Sequence, residues 1–238
     1  MKKRASPSRV KAWRMFDRIA PRYDLLNRLL SLRLDINWRR KAASFLPSGK
    51  NLRLLDIATG TGDQILAFFR KSDRIQDAVG IDLSEEMLNV AREKIHRHSL
   101  SQTVTLVKGD ATRLSYADCR FDAVSISFGI RNVIDVPRAL SEMRRVLQHG
   151  GRAIILEFSL PKNRIILLGH SIYLRYILPR LGALISGDQE AYRYLNRTVE
   201  TFPYGKAFCK MMEQAGFSQV HAYPLTFGIV TIYCGDRA

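Results

Sequence analysis

The chain has 238 residues, of which 46% are hydrophobic, and this is enough to fill the core of one α/β domain. Its formal net charge is +16 at pH 7, and residues 1–50 carry +11 of it, since they hold 14 Lys and Arg against three Asp. This asymmetry excludes an acidic N-terminal surface. It predicts an anionic partner there, either nucleic acid or acidic membrane headgroups, unless the charge only forms a solvated face.

The three cysteines are far apart in the sequence, which excludes the paired spacing of zinc sites and redox motifs. We therefore expect no metal and a cytoplasmic protein. Polar and charged residues follow the initial MKKR, so we expect no export. The apolar stretch 165–185 contains His170, Arg175, Pro179 and Arg180, which favours an interfacial or lid-forming helix over a transmembrane one.

The order of apolar and amphipathic segments predicts a single α/β domain over residues 1–238. Residues 1–50 indicate a basic helical extension. From Leu52 onward, short apolar runs alternate with amphipathic stretches, which is typical of βαβ units and a parallel sheet. The predicted parallel strands are 52–57, 78–82, 103–107, 121–127 and 152–158.

The helices between these strands have recognisable ends. Ser84 and Asp135 are natural N-caps, and we expect Gly150 and Gly151 to end the helix that Asp135 begins. Residues 159–203 form an insertion on the substrate side, after the fifth strand. The remaining predicted elements are a helix at 205–215 capped by Gly216 and a closing hairpin of 217–223 and 226–234.

The strongest local signal is LLDIATGTGD (54–63), in which an apolar strand leads into Gly60, Thr61 and Gly62. Glycine lets a ligand approach the backbone more closely than a Cβ would permit. Asp82 ends the next strand and faces the same edge of the sheet, where its carboxylate can accept hydrogen bonds from both hydroxyls of a ribose. This pairing alone fits both a nicotinamide dinucleotide and S-adenosylmethionine.

Two further features favour S-adenosylmethionine. Asp56 precedes the glycines, and the third glycine of a dinucleotide-binding loop is missing, so we expect an acidic rim that suits a cationic ligand. The third strand leads into Asp110 and Ala111. The Asp110 carboxylate can accept the adenine amino group, and the Ala111 amide can donate to a ring nitrogen.

Five segments together resemble the ubiquinone/menaquinone biosynthesis C-methyltransferase family. They are 16–40, 54–63, 109–133, 139–161 and 191–203. FGIRNV and LEFSLP within them are more specific than the glycine loop, which every class I methyltransferase shares. The chain departs from the family pattern at Thr59, where glycine is usual, and at 204–208.

The resemblance implies a Rossmann-like class I methyltransferase fold. Its sheet has seven mostly parallel strands with the last antiparallel, helices on both faces and an N-terminal helical extension. It also implies methyl transfer from S-adenosylmethionine to a ring carbon of demethylmenaquinol or a related benzoquinol. The positions that match cofactor contacts are Thr61, Asp82, Asp110, Ala111 and Ser127, and Asp56, Gly60 and Gly62 complete the predicted set.

Methylation at a ring carbon requires the reduced quinol, because a phenol that loses its proton pushes electron density into the ring. No metal is needed. Arg131 and Asn132 follow the fourth strand, where open α/β sheets bind ligands. Arg131 could stabilise the phenolate or orient a water, and the alternative is that this loop is only anchored to neighbouring backbone. Asp63, Tyr23 and Asp24 are the candidates for proton removal.

We expect the basic extension to fold over the cofactor and to contact the anionic inner face of the cytoplasmic membrane, with 165–185 as one wall of a groove for the prenyl tail. Two other functions are an RNA methyltransferase, with the extension as a phosphate track, and a catalytically silent scaffold. No RNA-binding module is recognisable, so we expect no nucleic acid partner, and a scaffold has no use for a complete cofactor set. The sequence leaves open whether the protein forms a homodimer.

Overall fold

The computed structural model describes residues 12–177 and 189–238, which contain a seven-stranded sheet of order β3-β2-β1-β4-β5-β7-β6. The strands are β1 (Leu52–Ile57), β2 (Ile75–Asp82), β3 (Val104–Lys108), β4 (Phe121–Ser127), β5 (Leu147–Phe158), β6 (Ser218–Leu225) and β7 (Val230–Asp236). Strands β1 to β5 pair in parallel, whereas β7 runs antiparallel to β5 and β6. The predicted fold class is confirmed.

Helices pack on both faces of this sheet. They are α1 (Ala12–Leu30), α2 (Leu34–Ala43), α3 (Asp63–Lys71), α4 (Glu85–Arg97), α5 (Val136–Val146), α6 (Arg164–Ile172), α7 (Gln189–Thr201) and α8 (Lys206–Gln214). Helices α5 and α8 share a core with Leu55 and Ile57, whereas α2, α3 and α4 share one with Leu52 and Leu54. Strands buried on both faces are nearly continuous apolar runs, which is why the sequence identifies them.

Side-chain caps fix the first residues of two helices. The Ser84 hydroxyl accepts a hydrogen bond from the Met87 amide at 3.2 Å, and the Asp135 carboxylate accepts one from the Arg138 amide at 3.0 Å. Gly216 follows α8 with a φ of +90°, a conformation that glycine adopts without strain. The three predicted caps are therefore confirmed.

The starts of two strands differ from the prediction. Strand β2 begins at Ile75 rather than at 78, and β5 begins at Leu147 rather than at 152. Gly150 and Gly151 therefore lie inside β5, where its pairing with β4 is irregular, and they do not end α5. A Cβ at Gly151 would lie within 3.0 Å of two carbonyl oxygens, so glycine is needed for close backbone approach rather than for a cap.

The extension and the insertion are both helical where they are described. In the insertion, α6 continues into a π-helical turn at Tyr173–Ile177, and the predicted wall segment 165–185 lies partly outside the described residues. No helix in the described part of the chain is long and apolar enough to cross a membrane. The closing pair is antiparallel as predicted, but residues 226–228 form a 3-10 turn, so its second strand begins at Val230.

Candidate active site

A cavity of about 250 Å³ lies at the carboxyl ends of β1, β2, β3 and β4, and we call it the cofactor cavity. Strand ends of a parallel sheet meet at one edge, which brings together residues that are distant in the sequence. Helix α1 contributes Trp13, Phe16 and Tyr23 to the wall. The predicted cofactor residues in the wall are Gly60, Asp82, Asp110, Ala111 and Ser127.

The glycine loop joins β1 to α3 and borders this cavity at Gly60. Gly60 has a φ of +56°, and a Cβ there would meet no atom within 4 Å, so the backbone faces open space. Gly62 has a φ of +79° and immediately precedes α3. L side chains rarely adopt either conformation. Thr59, the departure from the family pattern, donates a hydrogen bond to Asp56 Oδ2 at 2.7 Å and so tightens the loop.

Asp82 connects the loop to the start of α4. Its Oδ2 accepts the Gly60 amide at 2.8 Å and its Oδ1 accepts the Ser84 amide at 2.9 Å. Burial raises the pKa of Asp82, although these amide hydrogen bonds oppose the shift. Each carboxylate oxygen accepts more than one hydrogen bond, so Asp82 can still accept the two hydroxyls of a ribose in the cavity.

Two groups near Asp110 suit the adenine half of the cofactor. Asp110 Oδ1 accepts both the amide and the hydroxyl of Thr112 at 2.8 Å, and the side chain is exposed along the cavity. Asn132 also lines the cavity, and its buried Oδ1 has no hydrogen-bond partner among the described residues. A buried acceptor without a donor is costly, so it indicates a ligand that donates. These residues fit S-adenosylmethionine, which carries ribose hydroxyls and amino groups.

Three predicted cofactor contacts need correction. Asp56 is fully buried and accepts hydrogen bonds from the hydroxyls of Thr59 and Ser125, so it lies beneath the loop rather than on an acidic rim. Burial raises its pKa to about 6. Thr61 is buried too and donates to Asp24 Oδ1 at 2.6 Å, and Gly62 starts α3. None of the three lines the cofactor cavity; they hold the loop in place.

Asp63 and Asp24 were candidates for proton removal, but both belong to an ion network outside the two cavities. Asp63 accepts from Arg28 Nη2 at 2.5 Å and pairs with Lys94 Nζ, which also donates to Asp24 at 2.7 Å. Burial favours a higher pKa for Asp63, yet the cations Arg39, Lys94 and Arg28 together lower it to about 2. Asp63 is thus too weak a base to remove a proton from a phenol, and it lines neither cavity.

A second cavity of about 490 Å³ adjoins the first, and we call it the apolar chamber. Helices α1, α2, α6 and α7 supply most of its wall, together with the last residue of β5 and residues that follow β4 and β6. Phe16, Tyr23 and Phe128 line both cavities, so the two share a wall. Tyr23 is therefore the one predicted proton acceptor that the structure places beside both cavities in the described part of the chain.

Arg131 lines the apolar chamber, whereas its neighbour Asn132 lines the cofactor cavity. Arg131 Nη1 donates to the Phe128 carbonyl at 2.5 Å and to Glu157 Oε1 at 2.7 Å, and the guanidinium lies over the Phe158 ring. Within the described residues its buried Nε has no partner. The backbone anchor that we considered from the sequence is present, and Glu157 balances the charge of the guanidinium.

Sequence reasoning missed His170 as a site residue, because a lone histidine in an apolar helix carries no motif. It also missed Trp38, whose indole N–H donates to the Thr226 hydroxyl at 2.8 Å across the chamber. The spacing of apolar residues along a helix predicts only whether a side chain lies in the core or on the surface. Only the packing of α2 and α6 around the same space shows that they line a cavity.

Comparison with known proteins places the chain in a family. The model of the ubiE/COQ5 methyltransferase family matches residues 3–237. A demethylmenaquinone methyltransferase of Bacteroides fragilis is 45% identical over 94% of this chain and 91% of its own, and one of Thermus thermophilus is 46% identical over 94% and 100%. A ubiquinone/menaquinone biosynthesis C-methyltransferase of Syntrophotalea carbinolica is 47% identical over 94% and 93%.

Solved structures agree on the fold. A methyltransferase of Thermotoga maritima that depends on S-adenosylmethionine superposes with a TM-score of 0.65 at 21% identity, over 95% of this chain and 100% of that one. One from Aquifex aeolicus gives 0.61 at 16% identity, over 87% and 93%. With the cavity geometry above, S-adenosylmethionine is the cofactor, and the chain belongs to the ubiE/COQ5 methyltransferase family.

Proposed function

We propose that this protein transfers a methyl group from S-adenosylmethionine to a ring carbon of a polyprenyl quinol, with demethylmenaquinol as the substrate. The observation that carries the proposal is the apolar chamber that shares Phe16, Tyr23 and Phe128 with the cofactor cavity. Such a space suits an aromatic ring with a prenyl tail, and it does not suit a charged nucleic acid backbone. The relatives named demethylmenaquinone methyltransferase support a naphthoquinol.

A benzoquinol of ubiquinone biosynthesis is the second candidate, because other relatives are named for both quinones. In either case the substrate presents a phenolic hydroxyl next to the carbon that is methylated. Ionisation of that hydroxyl makes the ring carbon nucleophilic, and S-adenosylmethionine supplies an electrophilic methyl group. Arg131 lines the chamber beside its partner Glu157, and its buried Nε, which has no partner among the described residues, supplies a hydrogen-bond donor for the phenolate. The shared wall orients the ring against the cofactor.

We further infer that the protein works peripherally on the inner face of the cytoplasmic membrane, where a prenyl quinol resides. Leu32 lines the chamber and is 80% exposed, which supports an opening of the chamber to the outside at this point. Exposed apolar side chains on the neighbouring helices α1 and α6 support contact with lipid; they are Leu25, Leu29, Ile165 and Leu168. The basic extension supplies attraction to anionic headgroups.

Methyl transfer to quinol and to RNA tests the function directly. Purified protein and methyl-labelled S-adenosylmethionine are incubated with a short-chain demethylmenaquinone, either oxidised or reduced with dithionite, and with total RNA. We expect label only in the reduced quinol, because the oxidised ring is electron-poor and has no hydroxyl to ionise. Label in RNA with none in quinol would overturn the proposed function, whereas label in a benzoquinol alone would select the second candidate.

A further inference from the structure

His170 lies on α6 in the wall of the apolar chamber and is 9% exposed. Its Nδ1 is buried and makes no hydrogen bond to any described residue. A buried imidazole nitrogen without a partner is costly, so structures keep one where a ligand completes it. The chamber is the space in which the proposed function puts the quinol ring.

Among the described residues, the other titratable and charged groups of the chamber wall are phenols, guanidiniums and one carboxylate. They are Tyr23, Asp35, Arg39, Arg131, Tyr173 and Tyr194. Asp35, the carboxylate among them, accepts the Ser31 hydroxyl at 2.7 Å and pairs with Arg28. Tyr173 donates to the Leu30 carbonyl at 2.6 Å. A guanidinium has no acceptor atom, and a phenol is a weaker proton acceptor than an imidazole.

Resting on the function proposed above, we propose that His170 is the proton acceptor for the quinol hydroxyl. The hydroxyl O–H bond breaks and an N–H bond forms at Nδ1, while the electron pair stays on oxygen and delocalises to the ring carbon. That carbon bonds to the methyl group as the methyl–sulfur bond breaks, with its electron pair remaining on sulfur. The ring carbon then loses its own proton to water, and His170 returns the first proton to oxygen. One proton is released per turnover.

The surroundings of His170 suit this role over a wide pH range. Burial lowers the pKa of His170 below its ordinary value of 6.5, so the imidazole is neutral and able to accept a proton at pH 7. A quinol hydroxyl ionises near pH 10 by analogy with tyrosine, so few molecules are ionised without a base. A hydrogen bond donated by Arg131 Nε in the same chamber favours the phenolate that results.

The pH dependence of turnover separates this role from a structural one. We expect the kcat of the wild-type protein with saturating reduced short-chain quinol to be level between pH 7 and 9 and to fall at acidic pH, on the acid side of the ordinary histidine value of 6.5. His170→Asn keeps a polar group at the Nδ1 position but accepts no proton. Its kcat at pH 7 should fall by about 100-fold or more, and it should then rise about tenfold per pH unit. The Kd for S-adenosylmethionine by calorimetry should stay within twofold.

His149→Asn is the matched control, because His149 is exposed and bonds the C-terminal carbonyl of Ala238, outside both cavities. Its kcat and pH profile should equal those of the wild type. The proposal would be overturned by a kcat of H170N within twofold of the wild-type value at pH 7, or by a kcat that is reduced by the same factor at every pH. A wild-type kcat that itself climbs tenfold per unit from pH 6 to 9 would also overturn it, and this measurement needs no variant. An inactive wild type would instead count against the proposed function.

Discussion

Asp82 shows how one residue serves both the fold and the ligand. It accepts amides from Gly60 and Ser84, and through them it holds the glycine loop and the first turn of α4 at the cofactor cavity. A carboxylate that is buried among amide donors does not need to move when the ribose binds. Preorganisation of this kind lowers the ordering cost of binding.

We expect Asp82→Asn to weaken S-adenosylmethionine binding by about 2 to 4 kcal/mol, or roughly 30- to 1,000-fold in Kd, because charge-assisted bonds to two hydroxyls are lost. Isothermal calorimetry measures the change. Asp77→Asn is the control, since Asp77 lies exposed on the same strand away from the cavity. A Kd for D82N within twofold of wild type would contradict the ribose assignment.

The sequence predicted which site residues lie at strand ends, but it did not predict how deeply Asp56 and Thr61 are buried. The order of strands brings Asp82, Asp110 and Ser127 to one edge whatever the details of packing. Asp56 is only four residues from Gly60, yet it points into the core between Thr59 and Ser125. Side chains alternate along a strand, and the motif alone does not say which face the acid takes.

Helix α1 is attached to the sheet domain by polar contacts as well as by packing. Asp17 accepts the Ser84 hydroxyl at 2.5 Å, Asp24 accepts Lys94 at 2.7 Å, and Arg28 donates to Asp63. The few acids of this basic helix thus all meet partners on or near α4. These contacts hold Tyr23 and Phe16 where they line both cavities.

We expect Asp63→Asn to reduce the free energy of unfolding at pH 7 by about 2 to 4 kcal/mol, because Arg28 and Lys94 each lose one of two carboxylate partners, the one that the two cations share. The pKa of Asp63 in the folded state, about 2, lies below its unfolded value near 4. Its stabilisation is therefore complete above pH 4 and is lost as the pH falls through 2. Urea titrations of both proteins between pH 7 and 3 should show the difference shrinking with acid.

Glu93→Gln provides the comparison, since Glu93 forms an exposed pair with Arg97 at 3.9 Å on α4. Surface pairs contribute about 0 to 1 kcal/mol, so this variant should stay close to wild type. An equal effect of the two substitutions, or a D63N difference independent of pH, would show that Asp63 does not stabilise α1 through its charge.

The sequence identified most elements and little of their arrangement around the substrate. The periodicity of apolar residues and the helix-capping residues located β1, β4, α4 and α5, because the local sequence determines where these elements begin and end. The sequence did not predict the apolar chamber, because strands β1 to β5 separate α1 and α2 from α6 and α7 in the chain. No local signal says that their apolar faces enclose a space instead of meeting each other.

The N-terminal extension combines a high positive charge in its sequence with exposed apolar side chains on α1. Residues 1–50 hold most of the net charge, and the exposed leucines of α1 lie among them. Tyr173 donates to the Leu30 carbonyl, which ties the end of α6 to the end of α1. We therefore propose that the exposed apolar side chains of α6 and α1 contact the membrane together.

The double variant Ile165→Ser/Leu168→Ser tests the membrane contact of α6. We expect it to bind vesicles that contain anionic lipid at least tenfold more weakly, a difference of about 1.4 kcal/mol. The reason is that these two side chains, which are 82% and 63% exposed, would no longer enter the lipid interface. Co-sedimentation measures binding, and the salt dependence reports the charge contribution. Binding of the wild type should weaken from 0.05 to 0.5 M salt, since the Debye length is then shorter than about 14 Å.

Val107→Ser is the matched control, because Val107 is exposed on the edge strand β3 and does not line the chamber. It should bind vesicles as the wild type does. The α6 double variant and the Val107→Ser control should both methylate a short-chain quinol in solution at the wild-type rate, because none of the substituted residues lines either cavity. With a long-chain quinol in vesicles, only the α6 variant should be slow. A deficit in both assays would mean that this surface supports the chamber itself, and unchanged vesicle binding would remove α6 from the membrane contact.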